Sequence, residues 1–195
     1  MGRAIALVIA ASLLFAGSAF AQGLKVKPLT FDPDDTGISS AAWVTHQGLP
    51  DAGGSDHALY LGKSGPTSTN AAALAQVDGE EGLVLTELGF DVRDDGHCGA
   101  GAPRFNVRIS TGELFFFGCA HGTATAAGPG WKRIRFDDGD AFPQVAGSIW
   151  PGFGNAVVTS IVIVFDEGTD VGVGLTHLDN IDVNGVLIGK PGLAN

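Results

Sequence analysis

The chain has 195 residues, with 11 Lys and Arg against 21 Asp and Glu, so its formal net charge is −10 at pH 7. That length suits one domain, or at most two small ones. The acidic excess argues against a nucleic-acid-binding protein, which needs a basic patch, and against adhesion to anionic membranes. The 30 glycines are about twice the usual share and indicate a fold with many tight turns.

The first 21 residues have the pattern of an export signal. Arg3 supplies the positive start, residues 5–16 form a mostly apolar run, and residues 19–21 (Ala-Phe-Ala) form a small-x-small cleavage site. The apolar run is too short to span a bilayer of about 30 Å. We therefore expect cleavage after Ala21, a single mature domain over residues 22–195, and a secreted or periplasmic protein without membrane insertion.

In chain order, most of the mature sequence is typical of short strands. Runs of β-branched and aromatic residues alternate with clusters of Gly, Pro, Asp and Asn, as in a sandwich or barrel. The predicted strands are 26–31, 42–45, 58–61, 83–92, 104–109, 114–118, 131–136, 157–165, 175–183 and 186–188. The best helical candidate is the Ala-rich stretch 70–77, about two turns long. The sequence therefore predicts an all-β, jelly-roll-type β-sandwich of about ten short antiparallel strands.

Two cysteines, Cys98 and Cys119, lie in the predicted exported part of the chain. An oxidising compartment favours a disulfide between them. The flanking His97 and His121 make a metal site the alternative, although zinc sites usually separate paired ligands by two to four residues. A catalytic thiol is a third alternative, which requires a free cysteine. The disulfide is the prediction.

The first of two predicted hairpins turns at residues 111–112. A two-residue loop there places Ile109 opposite Leu114 and Val107 opposite Phe116. A three-residue loop would instead face Ile109 with a glutamate. Because cross-strand partners share a face of the sheet, the hydrophobic pattern favours the two-residue loop.

The second predicted hairpin follows the strand 175–183 and turns at Asn184-Gly185, the strongest sequence signal for a type I′ turn. On this strand, alternation places Asp179 on the same side as the inward-facing Ile181. A carboxylate in an inward row needs a partner. One interpretation is a calcium ion shared with a ligand near the N-terminal strand, for which Asp32 is the candidate. The alternatives are a solvated carboxylate or an arginine pair.

A candidate ligand surface lies on the predicted strand 131–136. If Ile134 faces the core, Trp131, Arg133 and Arg135 face the other way. An outward tryptophan beside two arginines can stack on a sugar ring and donate hydrogen bonds to it. The alternative is that a loop covers this face and the arginines pair with aspartates in residues 137–140. We predict Trp131, Arg133 and Arg135 as the ligand-binding residues.

The C-terminal sequence resembles a known class of domain. Residues 178–183 (Leu-Asp-Asn-Ile-Asp-Val), after the apolar run 160–168, resemble the end of secreted bacterial jelly rolls of the galactose-binding-like and carbohydrate-binding-module kinds. In those domains the aspartate helps to hold a structural calcium, a role that would fall on Asp179. The segments 88–92, 97–107 and 130–133 also resemble a group of uncharacterised exported bacterial proteins, which implies no function.

The predicted function is a secreted, non-catalytic module for an extracellular glycan or cell-surface component, with structural Ca²⁺ as its cofactor. Signatures of common hydrolases and phosphate loops are absent from the sequence. One alternative is a polysaccharide hydrolase or lyase that uses loop carboxylates such as Asp94, Asp95 or Asp138. For a glycoside it requires two carboxylates about 5 to 9.5 Å apart. The other alternative is a structural protein of the envelope or matrix.

Overall fold

A computed structural model describes residues 23–51, 53–166 and 174–191, and the predicted export signal lies outside these ranges. Within these ranges fourteen strands are present: β1 (Lys25–Phe31), β2 (Ser39–Val44), β3 (Ala58–Lys63), β4 (Ala72–Asp78), β5 (Val84–Leu85), β6 (Leu88–Arg93), β7 (Arg104–Ile109), β8 (Leu114–Gly118), β9 (Thr123–Gly128), β10 (Trp131–Arg135), β11 (Phe142–Pro143), β12 (Ala156–Phe165), β13 (Gly174–Val183) and β14 (Val186–Ile188). One short 3₁₀ turn spans Asp138–Asp140. No helix in the described ranges is long and apolar enough to cross a membrane.

The strands form two antiparallel sheets, which confirms the all-β, jelly-roll β-sandwich prediction. Sheet A has the order β1-β4-β12-β7-β8-β11, with β5 paired to β12. Sheet B has the order β2-β3-β13-β6-β10-β9, with β14 paired to β13. Each strand places alternate residues inward, so every sheet has a core face and an outer face.

The core lies between the two inner faces. Phe105, Phe115 and Phe117 of sheet A meet Phe90 of sheet B, and all four side chains are fully buried. The Phe90 and Phe105 rings lie 5.4 Å apart between centroids, within the range of favourable aromatic pairs. Burying one such side chain contributes about 1.5–3 kcal/mol relative to leaving it exposed.

The stretch 70–77 contains a strand, so the helical candidate is wrong. Residues 72–78 form β4 between β1 and β12. Ala73, Ala75 and Val77 are fully buried and alternate with less buried residues, as in a strand with one face on the core. Packing between two neighbouring strands overrides the helical propensity of alanine, which is a weak preference.

The second hairpin has the predicted geometry. Val183 lies opposite Val186, and the two loop residues Asn184 and Gly185 have φ of 57° and 78°. Positive φ at both loop positions is the requirement of a type I′ turn. The local sequence therefore determines this hairpin.

Asp179 lies on the outer face of sheet B, which corrects the predicted parity. Asn180 has a φ of 43°, and the pairing of β13 with β6 shifts register between Asp179 and Asp182. Such a bulge adds one residue to the strand and reverses the alternation beyond it. Leu178 and Ile181 therefore both face the core, although they are three residues apart.

Candidate functional site

The hairpin of β7 and β8 determines which phenylalanine faces outward. Val107 lies opposite Phe115, and Asn106 lies opposite Phe116, so the predicted register is wrong by one residue. Phe115 and Phe117 enter the core in place of Phe116. Phe116 is consequently on the outer face of sheet A.

The turn of this hairpin explains the shift. Ile109 N–H donates to the Glu113 carbonyl at 3.0 Å, so the loop contains three residues. Gly112 has a φ of 92°, a backbone conformation that glycine adopts without steric cost. A three-residue loop with such a glycine is a common alternative to the two-residue turn. Burial of two phenylalanines favours it over the register predicted from the flanking residues.

A groove of about 420 Å³ opens beside Phe116. It lies where the ends of β7, β8 and β11 meet the loop that follows Cys98. Its lining is Ala100, Gly101, Arg104, Phe116, Gly118, His121, Asp140 and Phe142. Because it combines exposed aromatic and polar side chains, we take it as the candidate site.

Arg104 is fixed against the Phe116 ring. Its guanidinium carbon lies 5.3 Å from the ring centroid, which is a cation–π contact. Its Nη1 and Nη2 donate to the two carboxylate oxygens of Asp166 at 2.7 and 2.8 Å. Nε donates to Asn106 at 2.9 Å, and Nη1 also donates to the Gly101 carbonyl at 2.6 Å. The guanidinium is therefore held in one orientation and its charge is compensated.

The loop that forms one wall of the groove is tied down covalently. Cys98 and Cys119 form a disulfide with a Cα–Cα distance of 5.2 Å, as the sequence predicts. Gly118 allows the loop to approach β8, because a Cβ atom there would lie 1.9 Å from the Ala100 carbonyl oxygen. The groove wall thus depends on a crosslink and on one glycine.

The opposite wall carries Phe142 and Asp140. Phe142 is 67% exposed, although it lies on β11 beside β8. Asp140 belongs to the 3₁₀ turn, where its side chain accepts a hydrogen bond from Asp137 N–H at 2.9 Å. The turn fixes the carboxylate at the rim, so the groove combines two aromatic rings with a small number of polar groups.

The predicted ligand residue Trp131 lies on the outer face of sheet B and is only 6% exposed. Trp131 pairs with Arg93, whose Nη1 donates to Gln47 in the loop between β2 and β3 at 2.8 Å. That loop also contacts β9, since a Cβ atom on Gly128 would lie 3.1 Å from Leu49. A ring buried to this extent offers no open surface for stacking.

Arg133 and Arg135 are on the same outer face, and each is paired with acids of sheet B. Arg133 forms a two-bond pair with Asp91 at 2.9 and 3.0 Å, and this hydrogen-bonded carboxylate raises the pKa of Arg133. Arg135 pairs with the buried Asp182 at 2.8 Å and with Glu87 at 3.4 Å. The arginines are therefore paired, but not with the aspartates in residues 137–140 that were the alternative predicted from the sequence.

The loop between β2 and β3 also covers Asp179, which is 1% exposed. Leu49 N–H donates to Asp179 Oδ2 at 2.7 Å, and Asn180 N–H donates to Oδ1 at 2.6 Å. Burial raises the pKa of Asp179 to about 7 despite these bonds, and the Asp51 and Asp91 charges raise it further. This carboxyl is thus positioned by backbone donors.

Asp32 and Asp179 are the predicted calcium ligands, and both carboxylates accept hydrogen bonds. The Asp32 carboxylate accepts hydrogen bonds from the Thr36 hydroxyl and the Gly37 N–H at 2.8 and 2.6 Å. Among the described residues, no three His, Cys, Asp or Glu side chains come together as metal ligands. Calcium prefers six to eight oxygen ligands, and hydrogen-bond donors occupy the carboxylates of Asp32 and Asp179. Calcium binding by this pair stays a sequence-based prediction.

The loop carboxylates of the enzyme alternative all have partners. Asp94 pairs with Lys132 at 3.2 Å, and Asp95 pairs with Arg93 at 2.6 Å. Asp138 accepts hydrogen bonds from the Trp150 indole at 3.1 Å and from a backbone N–H. These contacts give each of the three carboxylates a structural role.

Sequence reasoning missed Phe116 and Phe142 as site residues. Phe116 lies in a run of three phenylalanines, and only the register determines which one is exposed. Phe142 follows an Asp-rich turn and is on a two-residue strand that pairs with β8. The available sequence signal is the alternation of apolar residues along the two strands of this hairpin. Read with a two-residue loop, it predicts the wrong face of the sheet for Phe116.

No protein-family model and no curated protein matches the chain. Among solved structures, it is similar to the family 11 carbohydrate-binding module of cellulosomal cellulase Lic26A-Cel5E of Clostridium thermocellum, at 12% identity over 85% of this chain and 88% of that chain, with a TM-score of 0.48. It is also similar to the family 11 module from Clostridium thermocellum in complex with a β-1,3-1,4-mixed-linked tetrasaccharide, at 13% identity over 85% of this chain and 98% of that chain, with a TM-score of 0.48. Both are carbohydrate-binding modules, the class of jelly roll that the sequence resembles.

Proposed function

We propose that this chain is an exported, non-catalytic binding module that holds a glycan in the groove lined by Phe116 and Phe142, which are neighbours on the outer face of sheet A. The observation that carries the proposal is the groove itself, with its volume of about 420 Å³ and its aromatic lining. Small-molecule sites in proteins are typically concave and mostly apolar, with a few polar groups that fix orientation. This groove has that composition.

The aromatic walls suit the chemistry of a sugar ring. A pyranose has an apolar C–H surface on its faces and hydroxyl groups at its edge. Phe142 is 67% exposed and accessible to a ligand, and the Arg104 guanidinium contacts the Phe116 ring. Aromatic side chains supply a large apolar contact area with little conformational freedom to lose, which makes them effective anchors.

The polar groups suit hydroxyl groups. A guanidinium has five N–H donors, and Arg104 uses four in the described contacts with Asp166, Asn106 and Gly101. The remaining N–H is available to a hydroxyl, and the Asp140 carboxylate at the rim is an acceptor. Because Asp166 compensates the Arg104 charge, a neutral glycan fits better than an acidic one.

Two observations support the remaining parts of the proposal. The Cys98–Cys119 disulfide is typical of exported proteins, because the cytosol keeps thiols reduced. Asp140 is the one carboxylate among the described lining residues, whereas glycoside hydrolysis generally uses a pair of carboxyl groups. Binding without hydrolysis is therefore the proposed activity.

Calorimetric titration with soluble neutral glycans, such as β-glucan, mannan and xylan oligosaccharides, tests the proposal. We expect Phe142→Ala to weaken binding about tenfold, equivalent to ~1.4 kcal/mol. Val145→Ala is the matched control, because Val145 is 66% exposed and lies outside the groove lining. If Arg133→Ala abolishes glycan binding and Phe142→Ala leaves it unchanged, the binding site is on sheet B and the proposed groove is wrong. No binding to any glycan refutes the function.

A further inference from the structure

The four outer strands of the two sheets differ in how their free edges are protected. β1 carries Lys25, Lys27 and Pro28, which discourage pairing with another chain. β2 lies against β1, and its Trp43 indole donates to the Val26 carbonyl at 3.0 Å. β11 has two residues, one of which is a proline. Three of the four edges are therefore protected by charge, by proline, by brevity or by a neighbouring strand.

The edge strand β9 has none of these features. Its sequence, Thr-Ala-Thr-Ala-Ala-Gly, contains no charged residue and no proline over six residues. It pairs only with β10, and residues 123–126 are exposed. Within the described chain, no hydrogen bond outside the β10 ladder involves the β9 backbone. Its ladder with β10 is regular over residues 123–126 and shifts register before Gly128. The uncharged, regular part of the edge is a template for strand addition.

We propose that β9 pairs antiparallel with β9 of a second copy of this chain, which joins two copies of sheet B into one continuous sheet. The alternation in the strand makes it self-complementary. Thr123 and Thr125 lie on the outer face, opposite Arg135 and Arg133, whereas Ala124 lies on the core side, opposite Ile134. A twofold axis perpendicular to the sheet at Ala124 keeps each face on its own side. It places Thr123 opposite Thr125 of the second copy, and Ala124 opposite Ala124.

The cross-strand pairs in such a dimer are favourable. Threonine pairs on one face of an antiparallel ladder contribute about 0.2–1 kcal/mol each, relative to alanine pairs. The exposed methyl groups of Ala124 and Ala126 become covered on the core side. Arg133 and Arg135, beside the threonines, are already paired with acids, so no like charges meet at the new ladder.

The overall charge of −10 does not prevent this pairing. Repulsion between exposed charges is screened over about 8 Å at physiological ionic strength. The interface itself is uncharged, so the dimer is expected to strengthen as salt is added. The inference is independent of the glycan groove, which lies on sheet A.

Light scattering coupled to size-exclusion chromatography, over a range of protein concentrations, tests the proposal with charge variants of both threonines. We expect the unmodified protein to dimerise with increasing concentration. The double variants Thr123→Lys/Thr125→Lys and Thr123→Glu/Thr125→Glu are each expected to remain monomeric, because like charges then face each other. An equimolar mixture of the two variants is expected to dimerise, because opposite charges then face each other. Thr30→Lys on the β1 edge is the control and is expected to dimerise normally.

Three outcomes overturn the proposal. The unmodified protein stays monomeric at every concentration, or the Thr123→Lys/Thr125→Lys variant dimerises as well as the unmodified protein, or the mixture of charge variants stays monomeric. Near-ultraviolet circular dichroism identical to that of the unmodified protein shows that each variant is folded. Recovery in the mixture cannot arise from a merely misfolded variant.

Discussion

Asp91 and Asp179 lie directly opposite each other on β6 and β13, but their carboxylates have different partners. Asp91 forms a two-bond pair with Arg133, whereas Asp179 accepts hydrogen bonds from the backbone N–H groups of Leu49 and Asn180. Burial therefore raises the pKa of Asp179 to about 7. The attachment of the loop between β2 and β3 thus rests on a carboxyl that titrates near neutrality.

This relationship predicts that Asp179 makes the folded state less stable at high pH. Its pKa is raised from 3.8 in the unfolded chain to about 7 in the folded one, so folding favours the protonated form. The resulting loss of unfolding free energy is absent below about pH 4, grows between about pH 4 and pH 7, and is constant above pH 7. At about 1.4 kcal/mol per pKa unit, it reaches roughly 4 kcal/mol.

Urea unfolding at pH 5 and pH 8 measures this contribution. We expect Asp179→Asn to reduce the loss of unfolding free energy between the two pH values, because the amide does not ionise. Burial also raises the pKa of Asp182 to about 6. In the Asp179→Asn variant, Asp182 therefore still lowers the unfolding free energy as the pH rises, but by a smaller amount. The exposed Asp35→Asn is the control. An unchanged pH dependence in Asp179→Asn contradicts the prediction.

Gly118→Ala is predicted to displace the groove wall. A Cβ atom at this position would meet the Ala100 carbonyl oxygen at 1.9 Å, so the loop after Cys98 must move. We expect a loss of about 1–3 kcal/mol in unfolding free energy, as for other overpacked sites, together with weaker glycan binding. Gly101→Ala is the matched control in the same groove, since nothing lies within 4 Å of its Cβ position. Equal effects of the two substitutions would show that close approach is not the cause.

Loss of the Cys98–Cys119 disulfide is predicted to destabilise the protein. The bond closes a loop with a sequence separation of 21 residues. The chain-entropy model gives about 3 kcal/mol for a loop of this size. Urea unfolding of the double variant Cys98→Ser/Cys119→Ser measures the loss of unfolding free energy. Dithiothreitol is expected to lower the stability of the unmodified protein and to leave that of the double variant unchanged. A double variant as stable as the unmodified protein contradicts the prediction.

Calcium binding through Asp179 and Asp32 is a sequence-based prediction that thermal melting tests directly. A ligand that binds only the folded state raises its stability. If the prediction holds, a calcium chelator lowers the melting midpoint, and Asp32→Asn abolishes the difference. The exposed Asp35→Asn is the control, and it is expected to keep the response to chelator. A melting midpoint that is the same with chelator and with added calcium contradicts the prediction of calcium binding.

Local sequence was sufficient for some elements of the fold. The Asn184-Gly185 turn requires positive φ at two adjacent positions, and few residues other than asparagine and glycine tolerate it. Recurrent β-branched runs between glycine and proline clusters predicted most of the strands, because those residues fit a half-buried pleated surface. Two cysteines, together with a predicted export signal, predicted the disulfide.

Tertiary packing decided the features that matter for the candidate site. The hairpin register exposes Phe116 because burying Phe115 and Phe117 removes more apolar surface from water than burying Leu114 and Phe116 would. A bulge at Asn180 turned Asp179 to the outer face, and a loop distant in sequence then buried it. The alternation of apolar and polar residues along a strand does not indicate where a bulge adds an extra residue to that strand.

The sequence by itself determined an acidic β-sandwich, rich in glycine turns, with one predicted disulfide. The tertiary structure alone decided which face of each sheet is open. Trp131, Arg133 and Arg135 are on the predicted side of β10, yet a loop covers Trp131 and two aspartates pair with the arginines. The open groove lies on the other sheet, because exposure depends on contacts between segments far apart in the chain.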